Sequence, residues 1–147
     1  MVMDGEYRRV IEESPIPLKD GAEELLRYIS SIEIPIAVAT STAIDRAQKK
    51  LKSSGILDYF DFIIGGDQVT RSKPDPEIYL KAASELSSEP SKCLALEDSA
   101  NGVKAAVAAG MTVVQIPDLV QPGEELLSLG HIVLRSLYDV PKYQFSS

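Results

Sequence analysis

The residues best equipped for chemistry stand at three places in the chain: Thr40-Ser41-Thr42, Lys73-Pro74-Asp75-Pro76 and Glu97-Asp98-Ser99. Hydroxyls at a helix start offer neutral donors and a positive dipole end to an anion. A lysine adds a compact charge suited to a phosphoryl oxygen. Adjacent carboxylates repel unless a cation or a lysine stands between them. Such hard oxygens suit Mg²⁺, which takes one or two carboxylates together with waters and substrate phosphate. Each motif alone also has an ordinary structural meaning. Hydroxyls and carboxylates at these places cap helices, and most lysines ahead of a helix are solvated.

The elements between the motifs bring them together. Asp20 is placed to cap a helix whose apolar face is Ala22, Leu25, Leu26 and Ile29, at helical spacing. Ile36 to Ala39 is a continuous apolar run of the buried-strand type. Thr42 can cap the next helix, with Ile44, Ala47 and Leu51 on one side and Gly55 ending it. Phe62-Ile63-Ile64 reads as a strand ended by Gly65-Gly66. Asp75-Pro76 opens a helix whose inner face is Tyr79, Ala82, Ala83 and Leu86. Cys93 to Leu96 is a third apolar strand, and Ser99 can cap the alanine-rich helix after it. Thr112 to Ile116 gives a fourth strand, Pro122-Gly123 opens a short helix, and Ile132 to Leu134 reads as an edge strand.

Strands alternating with helices predict an α/β fold built on a parallel sheet with right-handed crossovers. Ligands in such folds bind beyond the carboxyl ends of the strands. Thr40-Ser41, Lys73 and Glu97-Asp98 each come after a predicted strand, so one rim collects hydroxyls, a lysine and two carboxylates.

Composition narrows the partners. The chain has 147 residues, enough for one domain with a real core, and a net charge of -7. That charge provides no electrostatic footprint for nucleic acid or an anionic membrane. No apolar run reaches the length of a membrane span, and no secretory leader is recognisable. The single cysteine, Cys93, opens an apolar run and reads as a buried structural thiol, in keeping with a reducing cytoplasmic location. His131 is the only histidine and forms no metal cluster.

In order, the segments Ala37 to Thr42, Ser72 to Tyr79 and Leu96 to Gly102 resemble the haloacid dehalogenase superfamily, in its β-phosphoglucomutase-like phosphatase branch. The resemblance runs from Pro15 to Pro141. It implies a Rossmann-like core with a mostly parallel sheet and flanking helices. It also implies Thr40 and Ser41 as holders of a phosphoryl group, and Lys73 as the charge that neutralises it. Glu97 and Asp98 become the Mg²⁺ ligands, Asp98 the surer of the two. The substrate class implied is a small phosphate ester, sugar phosphates among them, handled by a phosphatase or phosphomutase.

One family motif is missing. It is an apolar strand ending in Asp-x-Asp-Gly-Thr, whose first Asp attacks phosphorus and whose second moves the proton. Met3-Asp4-Gly5 echoes its end, but Val2 stands where the nucleophile belongs. Glu6 to Glu13 reads instead as the last helix of the family's cap. Residues 1–14 are therefore expected to be a cap remnant, and residues 15–147 a truncated core whose central strand is missing. Such a core is expected to be inactive alone and to bind Mg²⁺ weakly. The edges left open beside the gap predict a homodimer or domain-swapped association.

The competing reading is a non-catalytic interaction module, or half of a split enzyme completed by another chain. A receiver-type phosphoacceptor domain is excluded by motif order, because its acidic pair comes first. A dinucleotide-binding fold is excluded because no glycine-rich fingerprint stands after any strand.

Overall fold

The computed structural model describes residues 9–13, 19–117 and 121–142. Strands β1 (Arg9–Glu13), β2 (Ile36–Ala39), β3 (Phe62–Ile64), β4 (Cys93–Glu97), β5 (Thr112–Gln115) and β6 (Ile132–Val133) form one sheet in the order β3-β2-β1-β4-β5-β6. Every neighbouring pair is parallel. The principal helices are α1 (Ala22–Ser31), α2 (Ile44–Ser53), α3 (Glu77–Glu85) and α4 (Ala100–Ala108), with a short α5 (Glu124–Leu127).

Strand alternation builds two apolar layers. On one face Val10, Val38, Leu94, Leu96 and Val114 pack with Leu25, Leu26 and Ile29 of α1, and with Leu137 and Val140 near the C-terminal end. On the other, Ile11, Ala37, Ala39, Ala95 and Val113 pack with Tyr79 and Ala82 of α3 and with Val103 and Ala106 of α4. Small residues on both the sheet and α4 let that helix approach closely. The α/β architecture and the strand-to-helix alternation agree with the sequence reading.

Residues 9–13 depart from it. Arg9 to Glu13 is a strand, not a cap helix, and it fills the centre of the sheet. Val10 pairs with Ile36 on one side and Leu94 on the other. The physical reason is that two buried parallel strands flank this slot. Their backbone groups would otherwise go unpaired, and the β-branched pair Val10-Ile11 fits there better than in a helix. The central place is thus taken, though not by an Asp-x-Asp strand. The inner edges expected to drive dimerisation are closed, and the edges left are those of β3 and β6. The echo at Met3-Asp4-Gly5 lies outside the described residues.

Two expected caps also differ. Helix α1 starts from Gly21, at φ 86, with no side-chain cap, so Asp20 does not fill that role. Helix α2 starts from Ala43 rather than Thr42. Its exposed Ile44 N–H donates to Oδ1 of Asp67, at 3.0 Å, from the loop after β3. Ser99 does cap α4, accepting from the Gly102 N–H. Cys93 is buried and outside any disulfide, its Sγ donating to the Glu89 carbonyl at 3.6 Å. Among the described residues no helix is long and apolar enough to cross a membrane.

Candidate active site

Thr40 comes directly after β2 and is buried, with its N–H on the carbonyl of Ile64 in β3. Its Oγ1 accepts from the Thr42 N–H at 3.1 Å, which turns the chain over the strand end. Ser41 is exposed at the crest of this turn. The turn rests on Gly66: a Cβ there would come within 2.2 Å of the Ser41 carbonyl oxygen. Glycine at this position therefore serves a close backbone approach.

Lys73 arrives on the loop before α3, through a cis peptide to Pro74. Glu77 in the first turn of α3 anchors that loop, its carboxylate accepting from the amides of Thr70 and Arg71 at 2.8 and 2.9 Å. Those two bonds hold the Glu77 carboxyl below the usual carboxylate range. Asp75 Oδ1 accepts from the Glu77 N–H, but Pro76 rather than Asp75 holds the cap position, and the first helical residue is Glu77.

Glu97 ends β4 and is wholly buried. Its Oε2 lies 3.2 Å from Nζ of Lys73, and the Tyr79 hydroxyl donates to the same oxygen. Its Oε1 has no hydrogen-bond partner and faces Gly102 of α4. Burial pushes this carboxyl up to about 7, with Lys73 opposing the shift and Asp98 adding to it. Asp98 is half-buried at the strand end.

The structure thus brings Lys73 and Glu97 into direct contact and sets Asp98 beside them in the chain. Thr40 and Ser41 stand at the end of β2, separated from β4 by the central strand. In register, Glu13 of β1 lies level with Ala39, and Glu12 level with Val38 and Leu96. The carboxyl end of β1 therefore enters between the Thr40 and Glu97 corners. Glu12 is 1% exposed, and neither of its carboxylate oxygens has a partner. Burial alone pushes this carboxyl up to about 8.

Among the described residues no group of three or more His, Cys, Asp or Glu side chains forms a ready-made metal centre. Asp98 and the bare Oε1 of Glu97 are nonetheless hard oxygen donors of the type Mg²⁺ accepts alongside waters. The sequence reading missed Tyr79, Gly102 and Glu12. Tyr79 was legible in part: a tyrosine on a buried helix face needs a partner for its hydroxyl, which a phenylalanine does not. His131 belongs elsewhere, its Nε2 donating to Gln115 Oε1 at 2.7 Å beside β6.

A family model described as haloacid dehalogenase-like hydrolase matches residues 1–110. The phosphorylated carbohydrates phosphatase of Thermotoga maritima is 36% identical over 129 residues, covering 87% of this chain and 57% of the relative. The bifunctional riboflavin kinase/FMN phosphatase of Arabidopsis thaliana is 35% identical over 121 residues, covering 82% of this chain and 32% of the relative. The crystal structure of CbbY from Rhodobacter sphaeroides in complex with phosphate superposes with a TM-score of 0.75 at 32% identity, over 83% of this chain and 55% of that one. This chain spans about a third to little more than half of these relatives' lengths.

Proposed function

The chain belongs to the haloacid dehalogenase-like hydrolases, and on that premise we propose that its rim is the phosphate- and cation-handling part of a phosphatase or phosphomutase acting on small phosphate esters. The observation that carries this reading is the buried Lys73–Glu97 pair at the strand ends. An ammonium held at 5% exposure is a poor surface charge and a good phosphoryl partner. The Thermotoga relative's action on phosphorylated carbohydrates favours sugar phosphates as the substrate.

In this reading the Thr40 hydroxyl and the Ser41 hydroxyl and amide hold the phosphoryl oxygens, and Lys73 neutralises them. Asp98 and Oε1 of Glu97 are the side-chain oxygens that would hold Mg²⁺, which when bound supplies positive charge to the phosphate. Glu97 Oε2 is already engaged by Lys73 and Tyr79, so Asp98 is the stronger ligand. The work belongs to a cytoplasmic setting, where the buried thiol of Cys93 stays reduced.

The central strand ends in Glu12-Glu13 and carries no Asp-x-Asp. Glu12 is turned into the core, so it is not presented to a phosphate. The chain alone is therefore inactive or nearly so. A second reading, half of a split enzyme, rests on the same residue. A central strand with a buried, unpaired carboxyl fits its slot poorly. A strand from another chain, apolar and ending in Asp-x-Asp, would fit better. Residues 1–14 would in that case be cap-derived, with residues 9–13 occupying the slot, and residues 15–147 the working core. Association of two copies would run through the β3 or β6 edge or through exchange of β1.

Hydrolysis of an aryl phosphate by the purified chain, with and without Mg²⁺ and beside Lys73→Ala, tests these readings. No turnover by the chain, together with Lys73-dependent binding of inorganic phosphate, is the expected result. Turnover that requires Mg²⁺ and Lys73 would refute the inactivity. Turnover appearing only when an apolar peptide ending in Asp-x-Asp is added would favour the split enzyme. Failure to bind phosphate at all would sink the phosphate-site reading.

A further inference from the structure

We infer that Tyr79 is a positioning residue of this site: its phenol fixes the Glu97 carboxylate so that Oε2 stays turned toward Lys73, and the lysine ammonium is thereby held at the rim. The functional consequence rests on the phosphate-site reading, whereas the geometry stands apart from it.

Two donors grip one oxygen of the Glu97 carboxylate, and a glycine leaves room for the other. Oε2 receives the Tyr79 hydroxyl and lies 3.2 Å from Nζ of Lys73. Oε1 is pressed toward Gly102, where an added Cβ would stand 1.8 Å away. A carboxylate oxygen has two lone-pair directions, so one oxygen can serve both donors. Rotation of the carboxylate would break both bonds at once and leave a buried phenol unsatisfied. Tyr79 is wholly buried on α3 and packed into the apolar layer, so its hydroxyl has little freedom to move with it.

The lysine needs such a device. Its four-carbon stem is flexible, and an ion pair to a freely turning carboxylate would not define where the charge sits. Nζ also lies 5.2 Å from the centre of the Tyr79 ring, within cation–π range. Tyr79 thus reaches Lys73 twice, through the ring face and through the oxygen they share. Phenylalanine would keep the first contact and lose the second.

The test is Tyr79→Phe in the full chain, carrying ¹³C-labelled lysine and glutamate. The expected result is a shifted Glu97 carboxyl resonance, a more mobile Lys73 ε-methylene, and inorganic phosphate bound about tenfold more weakly. Resonances and phosphate affinity equal to those of the parent chain would overturn the inference. If the parent chain binds no phosphate, the phosphate-site reading fails while the two NMR signals still decide the role of Tyr79. Should Tyr79→Phe not fold, Glu97→Gln replaces it. The Tyr79 ring-carbon resonance next to the hydroxyl must then move, and its constancy would overturn the inference equally.

Discussion

Gly102 and Glu97 fit against each other only because position 102 has no side chain: a Cβ there would lie 1.8 Å from Oε1 and 2.5 Å from Oε2. The glycine sits inside a helix, where it costs conformational entropy compared with alanine, so its presence answers the carboxylate rather than the helix. Gly102→Ala should lower stability by about 1–3 kcal/mol, the usual cost of overpacking. In a Glu97→Ala background the same change should cost almost nothing or stabilise the helix. Thermal melts of the four proteins check this, and an equal loss in both backgrounds would contradict it.

Glu12 should make stability depend on pH in an unusual direction. Burial raises its carboxyl from 4.5 to about 8, and no charged neighbour offsets the shift. A group whose folded value is raised stabilises fully below its unfolded value and loses that contribution as pH climbs through the folded one. The window is therefore pH 4.5 to about 8, with a slope of at most about 1.4 kcal/mol per pH unit. Glu12→Gln should remove this slope. Glu12→Leu should gain about 1–3 kcal/mol at the alkaline end. Urea unfolding across that window measures both, and parallel curves for parent and Glu12→Gln would reject the buried position.

Lys73→Met leaves Glu97 without its cation. The carboxyl already stands at about 7, and Lys73 is what pulls it down. In the variant it rises further, so more of it is neutral near neutrality. The loss of stability should be largest above pH 7, up to about 3–5 kcal/mol, and should shrink as the pH falls and Glu97 takes up a proton. Urea midpoints at one acidic and one alkaline pH decide this. A loss independent of pH would mean that the two side chains are not paired in solution.

Asp98 should govern whatever Mg²⁺ affinity the chain has. Glu97 offers a single uncommitted oxygen, hemmed in by Gly102. Calorimetric titration is expected to show weak binding that Asp98→Ala abolishes and Glu97→Gln only reduces. Tight binding, or binding that survives Asp98→Ala, would place the cation elsewhere.

Much of this arrangement is legible in the residues themselves. Apolar runs such as Ile36–Ala39 and Cys93–Leu96 declare strands, and the residues just past the end of each must lie at one rim. The contacts inside the rim are less legible. Tyr79 shares the helical spacing of Ala82 and Ala83, so periodicity marks it as core and says nothing of its hydroxyl. Asp67 takes over the start of α2 from another loop, a pairing no local pattern records. Val10-Ile11 is too short a run to announce a strand beside Glu12 and Glu13. Only the open slot between β2 and β4 makes it one, and that slot is a property of the whole sheet.

The central strand is the first of the described strands, yet Val10 must pair with Leu94, far onward in the sequence. Its other neighbour, Ile36, is closer, but parallel pairing still needs the long crossover through α1. Loop closure over such a span is entropically unfavourable before any contact rewards it. Residues 9–13 should therefore be among the last to lock into place. Until they do, the apolar flanks of β2 and β4 stand open to any extended segment within reach, so folding of this chain should be sensitive to its concentration.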